Sequence, residues 1–307
     1  MPSHDRFLAR FYRLLLALEL AAYVVAGSIA YEAGWSVAAI VAGAVAVALA
    51  MRVSLVVASI SLAWLTGPPR LPEHRLPVAQ ALGIAVGEVR ALLADTCVCF
   101  PFDSIAAPAD VASGEHTPVI LVHGYFGNRG YFRPLLLWLR SQGIAPVFAP
   151  NCRSAFAPIE RFSVELGEAI DAVAHATGRD KVILVCHSMG GLAARHYLGR
   201  NGAGRIAKLI TIASPHHGTA IAPFGLGENA SEMRRGSRFL EKLAAAEAAY
   251  PPECPAVSIY TPHDNLVVPH DTGLLPWARN VALPGEGHLA VLRSPRLFEL
   301  LREELKA

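Results

Sequence analysis

A serine at a sharp strand-to-helix turn is the residue of this sequence best suited to act as a nucleophile. The apolar run 182–186 is typical of a buried strand, and a helix-forming segment begins at Met189. Between them, the segment HSMGG places Ser188 where its hydroxyl would project from the carboxyl edge of a sheet. Gly190 fits the third position of the G-x-S-x-G pattern, whereas Cys186 replaces its first glycine. A plain turn with a helix N-cap is the alternative interpretation.

A serine hydroxyl reacts only when a histidine accepts its proton and an acid orients that histidine. Asp264 directly follows the strand-like segment AVSIY, and His288 follows a short apolar run and a glycine-rich loop before the last helix. We therefore predict a catalytic triad of Ser188, Asp264 and His288. Asp271 is the reserve acid, but it lies further from a strand end.

The loop after an earlier strand predicts the site that binds the developing negative charge. A buried strand over 119–122 leads into the segment HGYFG, whose glycines allow close backbone approach. We expect the backbone N–H groups of Tyr125 and Met189 to form this oxyanion hole. His123, at the start of the loop, is interpreted as a packing residue.

Five segments together resemble the bacterial lipase and esterase branch of the α/β-hydrolase superfamily: HGYFG, CHSMGG, TIASPHHGTAIA, TPHDNLVVP and GEGHLAVL. The resemblance spans residues 117–305. It implies an α/β fold, with a mostly parallel sheet covered by helices on both faces. It also implies hydrolysis of carboxylic esters, either acylglycerols or similar lipids, by a serine hydrolase that passes through an acyl-enzyme.

No metal and no cofactor is expected, although related lipases sometimes hold zinc or calcium. The adjacent pair His216 and His217 cannot easily direct both rings at one ion, and no carboxylate cluster with ligand spacing accompanies it. We interpret both histidines as structural.

Alternating strand and helix patterns predict βαβ units over the catalytic region. The predicted strands are 118–123, 145–149, 181–186, 206–213, 255–260 and 280–283. The predicted helices are 131–142, 160–177, 189–200, 235–249 and 289–305. The stretch 215–252 is the natural insertion over the site, and it is interpreted either as a lid or as a packed loop and helix.

The amino-terminal part of the chain is unusually apolar. Of the 307 residues 53% are hydrophobic and only 17% are charged, with a mean hydropathy of +0.38. Globular chains are about 25% charged. Between residues 14 and 65 the only charges are Glu19, Glu32 and Arg52. The runs 14–31 and 36–65 predict a transmembrane helical hairpin, with Glu19 and Arg52 at similar depth and able to pair.

A signal peptide and a pair of buried core helices are the alternative interpretations of this region. A signal peptide would fit the basic start, but no convincing cleavage site ends the first run and a second apolar run follows at once. A buried pair of core helices would show a polar face at 3.6-residue spacing, and neither run does.

Flanking charges predict the orientation. Five arginines closely flank the two runs, and the turn between the runs has none: Arg6, Arg10, Arg13, Arg70 and Arg75. By the positive-inside rule both ends, and the catalytic region, face the cytoplasm of a bacterial inner membrane. Five cysteines without repeat spacing fit a reducing compartment.

The predicted organisation is a membrane anchor over 1–66, a proline-rich linker with an amphipathic helix and an irregular lead-in over 67–116, and a catalytic domain over 117–307. The expected partners are the bilayer and a lipid or small ester substrate. Nucleic acid is excluded because no basic patch is present and the net charge is only +2. The oligomeric state is left open. A thioesterase or acyltransferase on the same triad, or an inactive membrane-bound binding protein, remain the alternative functions.

Overall fold

A parallel sheet of six strands organises the protein, as seen in a computed structural model that describes residues 7–67, 72–153 and 155–306. In this part of the chain the strands lie in the order β2-β1-β3-β4-β5-β6. Their bounds are β1 Val119–Val122, β2 Val147–Phe148, β3 Val182–His187, β4 Ile206–Ile212, β5 Ala256–Tyr260 and β6 Arg279–Ala282. Because the strands are parallel, their carboxyl ends share one edge, where the predicted site residues follow β1, β3, β5 and β6.

Helices cover both faces of the sheet, which confirms the predicted α/β fold. One core contains Leu121 and Val185 with apolar residues of the helices at 133–141 and 295–306. The other contains Ile120 and Leu184 with apolar residues of the helices at 159–177, 189–201 and 238–249. The alternation along each strand produces this division. Six α-helices follow β1 in the described part of the chain: α5 Arg133–Ser141, α6 Ile159–Thr177, α7 Met189–Asn201, α8 Glu228–Glu232, α9 Arg238–Ala249 and α10 Pro295–Lys306.

Element ends differ from the predicted bounds for local reasons. The strand β2 has only two residues, and it follows Pro146, which has no N–H to donate to a ladder. The helix α10 begins at Pro295, a residue favoured in a first turn, and 3₁₀ geometry over Ala290–Arg293 precedes it. Similarly, α9 begins after Ser237, whose hydroxyl accepts the N–H of Leu240.

Two long apolar helices form the predicted amino-terminal hairpin, α1 Phe7–Glu32 and α2 Val37–Thr66. Both are long and apolar enough to cross a bilayer. The guanidinium of Arg52 forms a bidentate ion pair with the carboxylate of Glu19, and one of its hydrogen bonds measures 2.7 Å. The pairing anticipated from helix depth is therefore present. Of the five flanking arginines, Arg6 and Arg70 lie outside the described residues.

A third helix connects the hairpin to the sheet, α3 Val78–Ala94, and it corresponds to the amphipathic helix predicted within 67–116. A π-helical turn, Asp95–Cys99, and a short helix, α4 Asp103–Ala106, continue it. Val111 then forms a single antiparallel bridge with Val147 at the sheet edge. The lead-in expected to be irregular has helical turns at 95–99 and 103–106 and is irregular over most of its remaining length. Of the predicted linker, residues 68–71 lie outside the described part.

Candidate active site

The turn between β3 and α7 holds Ser188 in a strained conformation. Its φ of +56° and ψ of −130° are rare for a residue with a side chain. A Cβ at Gly190 would lie 2.6 Å from the carbonyl oxygen of Val122, so only glycine fits there. Cys186, at the position where the pattern has glycine, is fully buried in the core. The sharp strand-to-helix turn predicted at Ser188 is therefore present, although Cys186 replaces the first glycine of the G-x-S-x-G pattern.

The structure brings the three predicted triad residues together. The Nε2 of His288 lies 3.0 Å from the Oγ of Ser188. On the other side of the ring, Nδ1 lies 3.0 Å and 3.1 Å from the two carboxylate oxygens of Asp264. Asp264 follows β5 and His288 follows β6, so both reach the serine from neighbouring loops at the same sheet edge. The arrangement is that of a nucleophile, a base and the acid that orients the base.

Backbone groups hold the acid in place. One oxygen of Asp264 accepts the N–H groups of Leu266 and Val267, each at 2.7 Å, which leaves the carboxylate facing the histidine. Burial alone would lower the pKa of His288, but the charge and hydrogen bond of Asp264, together with the charge of Glu88, raise this pKa above its usual value. The same interactions would stabilise the imidazolium that forms when His288 takes a proton from Ser188.

The reserve acid takes no part in this contact. Asp271 lies exposed in the 3₁₀ turn His270–Gly273, and within the described residues the hydrogen-bonded carboxylate partner of the His288 ring is Asp264. The order of preference predicted for the two aspartates agrees with this geometry.

The glycine-rich loop after β1 packs directly against the serine. A Cβ at Gly124 would lie 2.7 Å from the Cβ of Ser188, so the loop can approach only because the residue is glycine. Tyr125 borders the same cavity as the serine hydroxyl. Met189 is the first residue of α7, so its N–H has no acceptor within the helix. Tyr125 thus shares a cavity wall with Ser188 and Met189 directly follows it, and their role as oxyanion donors stays a prediction.

Residues 117–237 match the family model of the α/β hydrolase fold. The chain contains an α/β-hydrolase domain. Two bacterial triacylglycerol lipases are 34% identical to it: that of Burkholderia plantarii over 128 residues (39% of this chain, 35% of the lipase) and that of Pseudarthrobacter phenanthrenivorans over 125 residues (38% of each). The chain therefore spans little more than a third of the length of these relatives. The resemblance to the bacterial lipase and esterase branch is confirmed.

Solved structures agree on the fold of the hydrolase domain. The mature lipase BlEst2 of Bacillus licheniformis has a TM-score of 0.57 at 16% identity, covering 65% of this chain and 96% of that one. Lipase B of Aspergillus fumigatus also has a TM-score of 0.57, at 19% identity, covering 66% of this chain and 55% of that one. Both similarities leave about a third of this chain unmatched.

An apolar cavity of about 350 Å³ opens beside the Ser188 hydroxyl of the hydrolase domain. The cap insertion, 215–252, contributes Phe224 and Met233 to its wall. The Tyr125 hydroxyl donates to the carbonyl of Leu226 at 2.8 Å and accepts the N–H of Leu226 at 2.7 Å. The insertion is thus hydrogen-bonded to the glycine-rich loop after β1, residues 123–127, which we call the oxyanion loop. Movement of the insertion as a lid stays a prediction.

The amino-terminal helices supply another wall of this cavity, which the sequence did not reveal. Tyr12 of α1, Leu92 of α3 and Thr96 of the π-helical turn all line it. The Tyr12 hydroxyl donates a hydrogen bond of 3.0 Å to the carbonyl of Phe126, within the oxyanion loop. Phe126 has a φ of +53°, so this bond stabilises a loop conformation that a phenylalanine rarely adopts.

Two buried hydrogen bonds in series also link a tyrosine and a histidine to the backbone of His288. The carbonyl of His288 can only accept, so the Nε2 of His187, 3.0 Å away, carries the proton. The Nδ1 of His187 then accepts the hydroxyl of Tyr131, at 3.0 Å. Burial holds the pKa of His187 well below its usual value, so its ring stays neutral. His187 is not among the predicted site residues, and its adjacency to Ser188 is the signal that the sequence offers.

Two of the three histidines interpreted as packing or structural residues, His123 and His216, are buried in hydrogen bonds. His123 is buried, with its Nε2 accepting the N–H of Cys152 at 2.9 Å, and burial lowers its pKa to about 4. His216 is buried against the hydroxyl of Thr211 at 3.0 Å. Among the described residues, the side chains form no group of three that could hold a metal ion.

Proposed function

We propose that this chain is a membrane-anchored serine hydrolase that cleaves carboxylic esters of lipids through an acyl-enzyme. The observation that carries the proposal is the chain of contacts from Ser188 through His288 to Asp264, at the mouth of an apolar cavity. The similarity to triacylglycerol lipases supports the ester class of substrate.

In the first step His288 Nε2 accepts the proton of the Ser188 hydroxyl while the serine oxygen attacks the ester carbonyl carbon. The carbonyl oxygen becomes an oxyanion, which the N–H groups of Tyr125 and Met189 stabilise by about 3–4 kcal/mol each. Asp264 stabilises the imidazolium. The intermediate collapses as His288 gives its proton to the leaving alcohol oxygen, which leaves the acyl group on Ser188.

In the second step water replaces the alcohol. His288 takes a proton from the water, whose oxygen attacks the acyl carbon and regenerates the oxyanion. The proton then passes from His288 to the Ser188 oxygen as the carboxylic acid departs. The buried position of the base, and the apolar wall around it, strengthen each of these interactions relative to water.

The position of the cavity relative to the hairpin supports a substrate drawn from the bilayer. Tyr12 lies twenty residues before Glu32, so α1 rises about 30 Å between them. The hydrocarbon core of a bilayer is about 30 Å thick. With Tyr31 and Trp35 at one interface, Tyr12 and the cavity it lines would lie at the other. A lipid ester in the near leaflet would then have a short path to Ser188.

The distribution of basic residues supports a hydrolase domain on the cytoplasmic side of a bacterial inner membrane. Arg10 and Arg13 begin α1 and Arg75 follows α2, whereas the turn at residues 33–36 has no basic residue. Within α1, which is described throughout, only Leu8 and Ala9 are buried, so nearly all its apolar surface is available to lipid. A soluble core helix would bury much more of that surface.

Hydrolysis of a p-nitrophenyl ester series, from acetate to palmitate, tests the function with the detergent-purified full chain and its Ser188→Ala variant. We expect activity that increases with chain length and is lost in the variant, by on the order of 10⁴-fold or more. Rapid turnover of the short esters with none of long-chain emulsions would refute a lipase while leaving an esterase.

Two other outcomes would replace the proposal. Activity on acyl-CoA, or transfer to added alcohols, in preference to ester hydrolysis would indicate the thioesterase or acyltransferase. Folded protein with neither ester activity nor Ser188-dependent labelling by a fluorophosphonate would indicate an inactive binding protein. A protease-protection experiment on inverted and right-side-out vesicles tests the orientation, with the hydrolase domain expected to be cleaved only in the inverted ones.

A further inference from the structure

A buried carboxyl of helix α3 contacts the loop of the candidate base. The Oε1 of Glu88 accepts the backbone N–H of Leu289 at 2.9 Å and that of Ala290 at 2.7 Å, the two residues directly after His288. The side chain is only 1% exposed. Glu88 belongs to the amino-terminal segment, outside the part of the chain that matches the hydrolase family.

A second carboxyl on the same helix face extends the contact. Asp95 follows Glu88 by seven residues, or two helical turns, and forms an ion pair with Arg293. The two carboxyls therefore hold both ends of the 3₁₀ turn Ala290–Arg293. The amides of Leu289 and Ala290 and the guanidinium of Arg293 thus depend on Glu88 of α3 and on Asp95 directly after α3.

Glycines at the contact show that it is close. A Cβ added at Gly287 would overlap the carboxyl group of Glu88, and a Cβ at Gly87 would lie 3.6 Å from the Cβ of Ala290. Gly287 is the residue before His288, so Glu88 lies against the backbone on both sides of the histidine. A contact that needed only packing would be made by an apolar side chain, because burying a carboxyl is costly unless its charge or its hydrogen bonds are used.

We propose that Glu88 is a positioning residue for His288, which fixes the loop that carries the imidazole and places a second carboxylate behind it. The proposal rests on the proposed role of His288 as the general base. It assigns a function in the reaction to a helix that belongs to the membrane-proximal segment rather than to the hydrolase domain.

The electrostatics of the contact support this role. Burial raises the pKa of Glu88 to about 7, although the hydrogen bonds from Ala290 and Leu289 and the charge of His288 oppose the rise. Above this pH the carboxylate is ionised and favours the imidazolium of His288; below it the carboxyl is neutral. The titratable groups near the His288 ring are Asp264 after β5, Glu88 on α3 and the neutral His187 on β3. The Ser188 hydroxyl, in the turn before α7, faces the ring as well, and Arg293, five residues after His288, is paired to Asp95.

Two substitutions separate the hydrogen-bonding role from the charge. Glu88→Gln keeps an oxygen that can accept both N–H groups but carries no charge, and Glu88→Ala removes both. Glu165→Gln is the matched control: Glu165 is a buried carboxyl of α6 that also accepts a backbone N–H, from Arg153 at 2.6 Å. The full-length proteins in detergent are compared by melting temperature, by p-nitrophenyl ester kinetics and by the rate of fluorophosphonate labelling of Ser188 between pH 5.5 and 9.

We expect Glu88→Gln to react roughly fivefold more slowly at pH 8 and to move the acid limb down by roughly half a pH unit, because the pKa of His288 falls when the neighbouring charge is lost. The ratio of wild-type to variant rate should therefore shrink as the pH decreases. Glu88→Ala should lower kcat roughly 100-fold with KM within about twofold, since a small displacement of the base affects the chemistry more than binding. Glu165→Gln can lower the melting temperature but should not move the acid limb.

Unchanged rates and pH profile in folded Glu88→Gln, or a shift equal to that of Glu165→Gln, would overturn the proposal and leave Glu88 a packing residue. The labelling assay separates this failure from failure of the proposed function. If wild-type Ser188 labels but no ester is hydrolysed, the ester assignment fails while the Glu88 test still runs on labelling rates. If Ser188 does not label in the wild type, the assignment of His288 as base fails, and the role of Glu88 fails with it.

Discussion

The hydrolase domain over residues 117–306 and the amino-terminal segment over residues 7–116 both contact the candidate active site, but they do so differently. In the hydrolase domain the reacting groups follow strands whose carboxyl ends meet at one sheet edge, so Ser188, Asp264 and His288 each lie in a recognisable local pattern. In the amino-terminal segment Tyr12 and Glu88 reach the same site from helices whose patterns describe only apolar faces. In the proposed mechanism the two regions therefore divide reaction from positioning.

The largest expected effect tests the assignment of roles within the hydrolase domain. Asp264→Asn should lower kcat by on the order of 10⁴-fold, because the neutral amide neither orients the reactive tautomer of His288 nor stabilises its imidazolium. Asp271→Asn, at the exposed reserve position, should remain within about twofold of wild type. Steady-state hydrolysis of a p-nitrophenyl ester at pH 8 measures both. Equal losses in the two variants would contradict the assignment of Asp264.

The contacts among Ser188, Asp264 and His288 could be predicted from the sequence because each residue follows a strand of a parallel sheet. Strand–turn–helix patterning located Ser188, and the order of later strands located Asp264 and His288. The pairing of Glu19 with Arg52 was also predictable, since two charges in otherwise apolar helices at similar depth have few other partners.

Glu88 and Tyr12 could not be found in the same way. A single carboxylate in an amphipathic helix is usually exposed to solvent, and its burial here depends on a close approach between α3 and a loop 200 residues later in the chain. Tyr12 lies near two arginines, Arg10 and Arg13, and no local pattern relates it to the site. Contacts that depend on how helices dock on a sheet leave little trace in local sequence patterns.

The next effect tests the contact between the two regions. Gly287→Ala should lower kcat roughly 100-fold, because its Cβ would overlap the Glu88 carboxyl and displace the His288 loop. The double variant Glu88→Ala/Gly287→Ala creates room for that Cβ. Its loss should be smaller than the product of the two single losses, as expected for residues in contact. Gly83 lies on α3, as Glu88 does, and a Cβ there would meet nothing within 4 Å. Gly83→Ala is therefore the control and should retain activity. Strictly multiplicative losses would indicate that the two residues act independently.

A smaller effect is expected where α1 meets the oxyanion loop. Tyr12→Phe removes the hydrogen bond to the carbonyl of Phe126 but keeps the ring that lines the cavity. A net hydrogen bond contributes about 1 kcal/mol, so kcat should fall roughly fivefold. The exposed Tyr31, at the far end of α1, offers the control Tyr31→Phe, which should have no effect on kcat. An unchanged kcat in Tyr12→Phe would mean that the hydrolase domain alone sets the shape of the loop.

The smallest effect on catalysis is expected from the ion pair within the hairpin, which distinguishes anchoring from positioning. A double-mutant cycle with Glu19→Gln and Arg52→Gln should show a coupling of about 1 kcal/mol in the stability of the detergent-solubilised chain, the size measured for polar pairs between membrane helices. kcat should stay within about twofold of wild type in every variant, because neither side chain lines the Ser188 cavity. Arg52 does approach Cys97, one residue after Thr96 on the cavity wall, so a path from the ion pair to the site exists. A fall in kcat that follows the loss of the ion pair would extend the positioning role from α1 and α3 to the whole hairpin. Both hairpin helices would then belong to the active-site support, and only the turn between them would serve as anchor alone.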